Sequence, residues 1–380
     1  MHGYYGACRA WQAHHTSTRV PSLPVFGPSS WPRVVLTLLL ALAAALLCVW
    51  LRTPIPWMIG PLLATSLVSV LGAPTESWSP FRNTGQWVIG TALGLYFTPA
   101  VGALVASLWW AIALGIAWAL LLGLGFGAWL RRLHAGHLAH LTPAQLLSTT
   151  YFAGAIGGAS EMTLIAERQG ARTDLVAAAH SLRVLLVTLT IPFALQFWGV
   201  SGLDTLTLGL REVQPTGLLA LAGLTLVGAL VMQRLGRANP WFMGALVVTM
   251  VVTLSGVTLS AIPQPLSNAA QLVIGVSLGV RFTPEFVHTA PRWLASVAFA
   301  SFFMMGICAL FGWALSAATG LHPATLLLGT APGGIAEMAI TAKVLQLGVP
   351  VVTAFQVCRL VAVLVLAEPV YRLWVARRPA

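Results

Sequence analysis

Two segments of this chain repeat the same charged residues within apolar sequence. Each contains two glycines, two further residues, a glutamate and a methionine: Gly157-Gly158-Ala159-Ser160-Glu161-Met162 and Gly333-Gly334-Ile335-Ala336-Glu337-Met338. An arginine follows each glutamate at a spacing of 22 residues, Arg183 in the first copy and Arg359 in the second. A carboxylate can take up a proton or a cation, and a guanidinium can hold an anion or set the local potential. The pattern predicts a pair of half-sites for a small ion or solute.

Helix geometry predicts that the glutamate and the arginine of each copy lie at similar depth in a membrane. Glu161 and Arg183 are each 11 residues from a turn near Arg172, and the second copy has the same arrangement around Gly348. At 1.5 Å per residue this places both charges roughly 16 Å from the surface, close to the midplane. Charges at that depth usually mark transport pathways. The alternative is that each glutamate only neutralises its arginine and joins two helices.

The paired glycines predict a break in a helix at each copy. Gly157-Gly158 and Gly333-Gly334 let the backbone turn or approach a ligand closely, and the half-helix that follows begins with unsatisfied N–H groups. Facing half-helices at the midplane are a recurring transporter-site design. The alternatives are that the glycines pack helices tightly and that the glutamates complement a helix dipole. Ser160 could cap the first copy only, because Ala336 occupies the equivalent position.

Four polar residues are weaker candidates for the same site. His180 and Gln356 each precede an arginine by three residues, so they share its helical face and could bind solute or orient the arginine. Gln86 and Gln271 occupy equivalent positions in the repeat and could line the same cavity or hydrogen-bond across helices.

Composition indicates an integral membrane protein. The chain of 380 residues is 58% hydrophobic and only 8% charged, with a mean hydropathy of +0.85, whereas about a quarter of a soluble protein is charged. Apolar stretches of about 20 residues recur along it, among them residues 34–51, 101–130, 175–200 and 294–317. We therefore expect an all-α, polytopic helical bundle.

The remaining composition favours neither nucleic acid nor metal chemistry. The formal charge of +11 comes from arginines placed beside apolar spans, which is typical of membrane topology rather than of DNA binding. The four cysteines have no metal-ligand spacing. His134, His137 and His140 are interpreted as part of a solvated basic loop rather than a metal site. We expect no metal, no cofactor, no enzymatic activity and no nucleic-acid partner.

Further matching segments extend the repeat over nearly the whole chain. The segment 55–60 matches 239–244, and the segment 86–99 matches 271–284. The predicted organisation is a disordered tail at 1–31, a membrane repeat at 32–200, a linker at 201–214 and a second repeat at 215–376.

Charge placement distinguishes two topologies. If every segment crosses the membrane, the 18 basic residues outside the spans divide 10 against 8. If the two Gly-Gly segments turn back, they divide 15 against 3, which the positive-inside rule favours. We therefore predict two inverted repeats with about 10 spans, two broken or re-entrant Gly-Gly segments, and both termini in the cytoplasm.

These motifs resemble the AbrB-type membrane protein family, which is sometimes labelled an ammonia monooxygenase. The resemblance covers residues 31–376 and is carried by 157–162, 177–183, 331–338 and 355–359. It implies a kinship with inverted-repeat secondary carriers, similar to the cation/proton antiporter and bile acid symporter supercluster. The labels imply gene regulation or ammonia oxidation. The sequence has neither convergent metal ligands nor room for an aqueous DNA-binding domain, so an effect on gene expression would be indirect.

The combined prediction is a secondary transporter in the inner membrane, with the lipid bilayer and a small solute or ion as its partners. Arg183 and Arg359 would hold an anionic group or set the potential, while Glu161 and Glu337 would bind the coupling proton or cation. A membrane sensor or regulatory protein without flux is the alternative, and the sequence is compatible with a homo-oligomer.

Overall fold

The computed structural model describes residues 31–138, 141–200, 212–237, 239–257, 259–284 and 290–376. These residues form fifteen α-helices and no strand, which confirms the all-α prediction for the described part of the chain. The helices are α1 Trp31–Trp50, α2 Pro56–Val70, α3 Ser79–Gly94, α4 Pro99–Ser107, α5 Trp109–His134, α6 Pro143–Gly154, α7 Ala159–Arg168, α8 Thr173–Phe197, α9 Pro215–Arg234, α10 Pro240–Leu254, α11 Gln264–Gly279, α12 Pro291–Thr319, α13 Pro323–Thr330, α14 Ile335–Val344 and α15 Val349–Ala376. Most of the predicted tail and linker lies outside the described residues.

Six of the described helices are long and apolar enough to cross a membrane. They are α1, α5 and α8 from the first repeat and α9, α12 and α15 from the second. The helices α2 and α10 are shorter and apolar, and α3 is followed by α4 at a bend of 89°. The described chain is thus compatible with a multi-pass membrane protein, with six spans by length and composition, or seven if the bent pair is one span.

Two expectations from the sequence are wrong in the structure. The apolar stretch 101–130 is not one helix, because the backbone leaves the helical region at Leu108 between α4 and α5 (φ −90°, ψ 11°). Hydropathy does not register such a break. His134 is not in a solvated loop: it ends α5, is buried, and its Nε2 lies 3.0 Å from Ser296 Oγ. His140 lies outside the described residues.

The helices form two groups, and each group draws on both repeats. In the first group, which we call the scaffold, α2 packs on α11 and α3 packs on α10, with α1 and α9 at their sides. The second group, which we call the core group, contains α5 to α8 and α12 to α15, where α5 packs on α15 and α8 packs on α12. Each of these four contacts pairs a helix of one repeat with a helix of the other. The sequence halves are therefore interleaved in space.

Repeated glycines mark the closest contacts within the scaffold. A Cβ atom on Gly90 of α3 would overlap the carbonyl oxygen of Phe242 on α10, and one on the equivalent Gly275 of α11 would lie 2.6 Å from the carbonyl oxygen of Met58 on α2. Small residues let membrane helices approach backbone to backbone in this way. The matching Ile-Gly segments of the two repeats thus make equivalent contacts.

The packing of α5 on α6 provides a stability prediction with a matched control on one helix. A Cβ on Gly127 would lie 2.9 Å from Thr150 O and 3.2 Å from Tyr151 Cα, whereas a Cβ on Gly125 meets no atom within 4 Å. We expect Gly127→Ala to cost about 1–3 kcal/mol through overpacking. Gly125→Ala should be neutral or stabilising, because alanine favours helix. Thermal unfolding in detergent would measure both, and equal midpoints would contradict the packing.

Candidate functional site

In the first repeat, hydrogen bonds show that the Gly-Gly segment is a hairpin of two half-helices. The backbone N–H of Arg172, just before α8, donates to Thr149 Oγ1 in α6 at 2.9 Å. Further along both helices, eight residues on in α8 and three residues on in α6, His180 Nε2 lies 2.9 Å from the carbonyl oxygen of Phe152. Contacts that advance together along α6 and α8 require the two helices to run in the same direction. The intervening helix α7 must therefore return the chain to the side where α6 began.

The second repeat makes the same contacts at equivalent positions. The N–H of Gly348, before α15, donates to Thr325 Oγ1 of α13 at 3.3 Å. Gln356 Nε2 then donates to the carbonyl oxygen of Leu328 at 2.6 Å. Consequently α13 and α15 also run in the same direction, and α14 turns back between them.

Arg183 binds the C-terminal end of the first half-helix, which is buried. Its Nη atoms donate to the carbonyl oxygens of Ala153 at 3.3 Å and Ala155 at 2.9 Å, and one also lies 2.8 Å from His180 Nδ1. These carbonyls lie at the C-terminal end of α6, where a helix has no further N–H groups to offer and carries negative potential. The guanidinium therefore supplies donors to carbonyl oxygens that the helix break leaves without N–H partners, and His180 orients the guanidinium.

Arg359 does the same in the second repeat. It donates to the carbonyl oxygens of Ala331 and, at 2.8 Å, Gly333. Gln356 Nε2 also reaches Ala331 O at 3.2 Å. His180 and Gln356 thus hold carbonyls at the end of the first half-helix and lie one turn before an arginine, consistent with an orienting role.

The glutamates lie on the other side of each break. Glu161 and Glu337 are the third residues of α7 and α14, whose N-caps, Gly158 and Gly334, offer no side-chain hydrogen bond. An anionic side chain in the first turn stabilises the positive end of a helix. Among the described residues, neither glutamate pairs with the arginine of its repeat within 4 Å. Each break therefore has an arginine at its carbonyl end and a glutamate at its N–H end.

The paired glycines make room for side chains of their own motif. A Cβ on Gly158 or Gly334 would overlap Oε2 of the motif glutamate. A Cβ on Gly157 would lie 2.8 Å from Met162 Cγ. On Gly333, the distance to Met338 Cγ would be 2.9 Å. Gly158 and Gly334 have extended backbone (φ −66° and −77°), so space rather than conformation requires glycine there. The first glycine of each pair accommodates the methionine and the second accommodates the carboxylate.

The remaining predicted residues are less closely tied to the breaks. Ser160 is the second residue of α7, and its side chain lies outside the described part. Gln271 is buried in α11 and Gln86 is partly buried in α3. Within the described residues, no hydrogen bond joins either glutamine to the glutamates or arginines of the motifs.

Sequence reasoning missed Arg281, a cation that lies among the motif charges. It follows α11 and lines a cavity of about 20 Å³ between the scaffold and the core group. The cavity also contacts Ala159, the first residue of α7, and Ser181 of α8. Arg281 is within electrostatic range of both Glu161 and Glu337. A cavity of this size can hold one water molecule.

The position of Arg281 breaks the symmetry of the repeat. The match between 86–99 and 271–284 places Tyr96 opposite Arg281, so only the second repeat carries a cation there. Arg82 of α3 lies close enough to repel Arg281, and its buried Nε has no hydrogen-bond partner among the described residues. In the count of basic residues made from the sequence, both arginines were placed at the ends of spans, outside the membrane. A comparison of the repeats for departures from symmetry would have revealed Arg281.

Comparison with known proteins identifies the family to which this arrangement belongs. The family profile described as "Transition state regulatory protein AbrB" matches residues 57–375. The chain belongs to the AbrB family. Similar relatives include "Uncharacterized protein YhjN" of Bacillus subtilis (strain 168), 25% identical over 343 residues, covering 84% of this chain and 87% of the relative. "Putative regulator AbrB" of Escherichia coli (strain K12) is 25% identical over 323 residues, covering 84% and 90%.

The family profile spans both hairpins, both arginines and Arg281. The name given to the family suggests a regulator, whereas the described helices are compatible with a multi-pass membrane protein. In the described part of this AbrB-family chain, no group of three or more His, Cys, Asp or Glu side chains could hold a metal ion.

Proposed function

We propose that this AbrB-family protein is a secondary transporter of a small solute or ion. The observation that carries the proposal is the pair of helix breaks, one in each repeat, where Glu161 and Glu337 have no ion-pair partner within 4 Å among the described residues. Glu337 is only 8% exposed, so its carboxylate is held away from bulk water. A buried carboxylate without a salt bridge gains stability by taking up a proton or a cation. That is the behaviour required of a coupling site.

The two helix groups provide the elements that a carrier must move. The cavity at Arg281 has Leu62 and Leu278 of the scaffold on one side and Ala159 and Ser181 of the core group on the other. In carriers built from repeats, alternating access results when one bundle moves against the other around a fixed site. We propose that binding at the glutamates changes the charge across this boundary and so biases the movement.

We further propose that the two repeats are inverted in an inner membrane, with both termini cytoplasmic. The reversal of the chain in each hairpin supports this. A Gly-Gly segment that turns back would leave five crossings in each repeat, and an odd number of crossings makes the second repeat begin on the opposite side of the membrane from the first. The charge bias remains when Arg82 and Arg281, which are partly buried, are left out of the count. Without them the basic residues outside the spans divide 13 against 3.

The alternative is a sensor without flux, which the name of the Escherichia coli relative would favour. In a sensor the same charges would fix one of two resting conformations, and an effect on gene expression would follow from ligand occupancy.

Flux measurements in proteoliposomes test the proposal. The double variant Glu161→Gln plus Glu337→Gln removes both charges but keeps the side-chain shape. We expect a pH gradient or a gradient of small ions to drive flux in the wild-type protein, and the double variant to lose most of it. Glu167→Gln is the matched control, because Glu167 is an exposed carboxylate on the same helix as Glu161. If the wild-type protein binds a small ion but shows no flux of that ion or of protons, the sensor is favoured.

A further inference from the structure

A groove of about 470 Å³ runs between α5 and α12 on the surface of the core group. Its walls are aliphatic and aromatic side chains from both helices, among them Phe126, Trp129, Phe299 and Phe303. Phe299 and Phe303 are 66% and 62% exposed, so the groove is open to the surroundings of the protein. Its lining includes Gly125, where a Cβ atom would meet no other atom within 4 Å. The groove therefore has room for an apolar occupant.

The length of the groove matches one leaflet of a bilayer. Its lining residues run from Leu121 to Trp129 on α5 and from Phe299 to Ile307 on α12. Each of these stretches advances eight residues, which is a rise of about 12 Å. Half of the hydrocarbon core of a bilayer is about 15 Å thick. A lipid acyl chain in one leaflet would fit along the groove, with its glycerol end beside Trp129, a residue type enriched at membrane interfaces.

On both helices, the face that lines the groove continues to an arginine. Lining positions on α5 recur every three or four residues, and Arg132 follows Trp129 by three. On α12, Arg292 precedes Phe299 by seven residues, which is two helical turns. Both arginines are exposed, and within the described ranges neither has a carboxylate within 4 Å. The apolar groove therefore leads to two guanidinium groups that are available to a ligand.

Contacts between α5 and α12 hold the two arginine-bearing helix ends together. His134, the last residue of α5, has its Nε2 atom 3.0 Å from Ser296 Oγ. The centroid of its ring is 5.1 Å from that of Trp293, the residue after Arg292. Because His134 is two residues beyond Arg132, both arginines lie at the same end of the groove.

The neighbouring helix α8 supplies no free counter-charge at this end. Trp293 Nε1 donates to the carbonyl oxygen of Leu175 at 3.1 Å, which places the first turn of α8 beside the first turn of α12. The acidic residue of that turn, Asp174, pairs with Arg172 at 2.6 Å. The positive charge at the end of the groove is thus left for a ligand, and a guanidinium matches the oxygens of a phosphate.

We propose that this groove binds an acyl chain of an anionic phospholipid, whose phosphate is held by Arg132 and Arg292. The inference goes beyond transport, since it requires neither flux nor a ligand at the glutamates. A second copy of the chain fits the groove less well. The two subunits of a closed dimer have the same orientation in a membrane, so a two-fold contact through the groove would bring four arginines together on one side. A lipid phosphate brings the opposite charge to the same place.

Native mass spectrometry of the full-length protein in detergent, titrated with dioleoyl phosphatidylglycerol, tests this inference. Dioleoyl phosphatidylethanolamine has the same acyl chains but no net charge, and the wild type should bind it more weakly. Arg132→Gln plus Arg292→Gln should lower the affinity for phosphatidylglycerol about 10- to 100-fold through the loss of charged hydrogen bonds, and so remove the preference. Arg234→Gln plus Arg237→Gln, which removes two exposed arginines of the scaffold, should leave both affinities unchanged.

The variant Gly125→Leu tests the groove separately from the arginines. Its side chain would enter the groove, so the affinity for both lipids should fall. Gly306→Leu is the matched control, because Gly306 is an exposed glycine of α12 that does not line the groove and whose Cβ would also meet no atom within 4 Å. In detergent without added lipid, the arginine substitutions should leave the unfolding midpoint unchanged, which separates lost binding from lost fold.

Three results would overturn the inference. The first is equal affinity of the wild type for the two lipids, or a preference for phosphatidylglycerol that survives in the double arginine variant. The second is binding of inorganic phosphate that depends on both arginines, together with lipid affinities that do not change in Gly125→Leu, since the site would then take a free anion. The third is a dimer that dissociates in Gly125→Leu, which would assign the groove to a second copy of the chain.

Discussion

Replacing Arg183 with methionine is expected to cost about 2–6 kcal/mol, because two buried carbonyl oxygens lose their donor at about 1–3 kcal/mol each. The side chain of methionine fills similar space but donates no hydrogen bond. The carbonyl oxygens of Ala153 and Ala155 would then be left without the donors that now reach them. A native protein is stable by only about 5–15 kcal/mol, so this loss is large.

The equivalent variant Arg359→Met should cost less. Gln356 also donates to Ala331 O, so only the carbonyl of Gly333 loses its described partner. In the first repeat His180 lies against Phe152 O and cannot compensate in the same way. The two repeats therefore predict an order of stability: wild type, then Arg359→Met, then Arg183→Met.

Thermal unfolding followed by tryptophan fluorescence in detergent would measure this order. Arg132→Met serves as the control, because Arg132 is exposed at the end of α5 and its loss should leave the midpoint unchanged. If Arg183→Met does not fold, Arg183→Lys keeps the charge and should show an intermediate midpoint, since one ammonium cannot reproduce the planar fork. An unchanged midpoint in Arg183→Met would refute the role assigned to the arginine.

The repeated motif allowed the hairpins to be predicted because the glycines, glutamates and arginines recur at one spacing. The partners of the arginines could not be predicted in the same way. Opposite charges at similar depth left an ion pair between Glu161 and Arg183 as the alternative to a transport site, but an unsatisfied carbonyl at a helix end competes for the same guanidinium. In the structure the carbonyls of Ala153 and Ala155 take that place. Backbone carbonyl oxygens satisfy the charge of Arg183, and the positive end of the α7 dipole complements the charge of Glu161.

Departures from the repeat were harder to predict than the repeat itself. Arg281 was assigned to a span end because it follows an apolar segment, and only the packing of α11 against α7 and α8 at the cavity brings it to the glutamates. The break at Leu108 was hidden for a similar reason, since nearly all residues around it are apolar. In both cases the decisive information is the direction of the backbone, which composition does not encode.

Labelling from the two sides of the membrane is expected to give opposite results for the C-terminal ends of the two hairpins. In inverted repeats, the last turn of α7 faces the cytoplasm and the last turn of α14 faces the exterior. Arg168 ends α7 and is exposed, and Lys343 lies in the last turn of α14. We expect a membrane-impermeant maleimide to label Lys343→Cys in intact cells and to label Arg168→Cys only after permeabilisation.

The experiment starts from a chain whose own cysteines, Cys8, Cys48, Cys308 and Cys358, are replaced by alanine. Arg52→Cys, in the exposed turn after α1, serves as the external reference because inverted repeats place it on the same side as Lys343. Parallel repeats would place Arg168 and Lys343 on one side, so equal labelling of the two cysteines would exclude the inverted arrangement. Opposite labelling would place Glu161 and Glu337 on hairpins that enter from opposite faces. A site reached in this way from both sides is the geometry that alternating access requires.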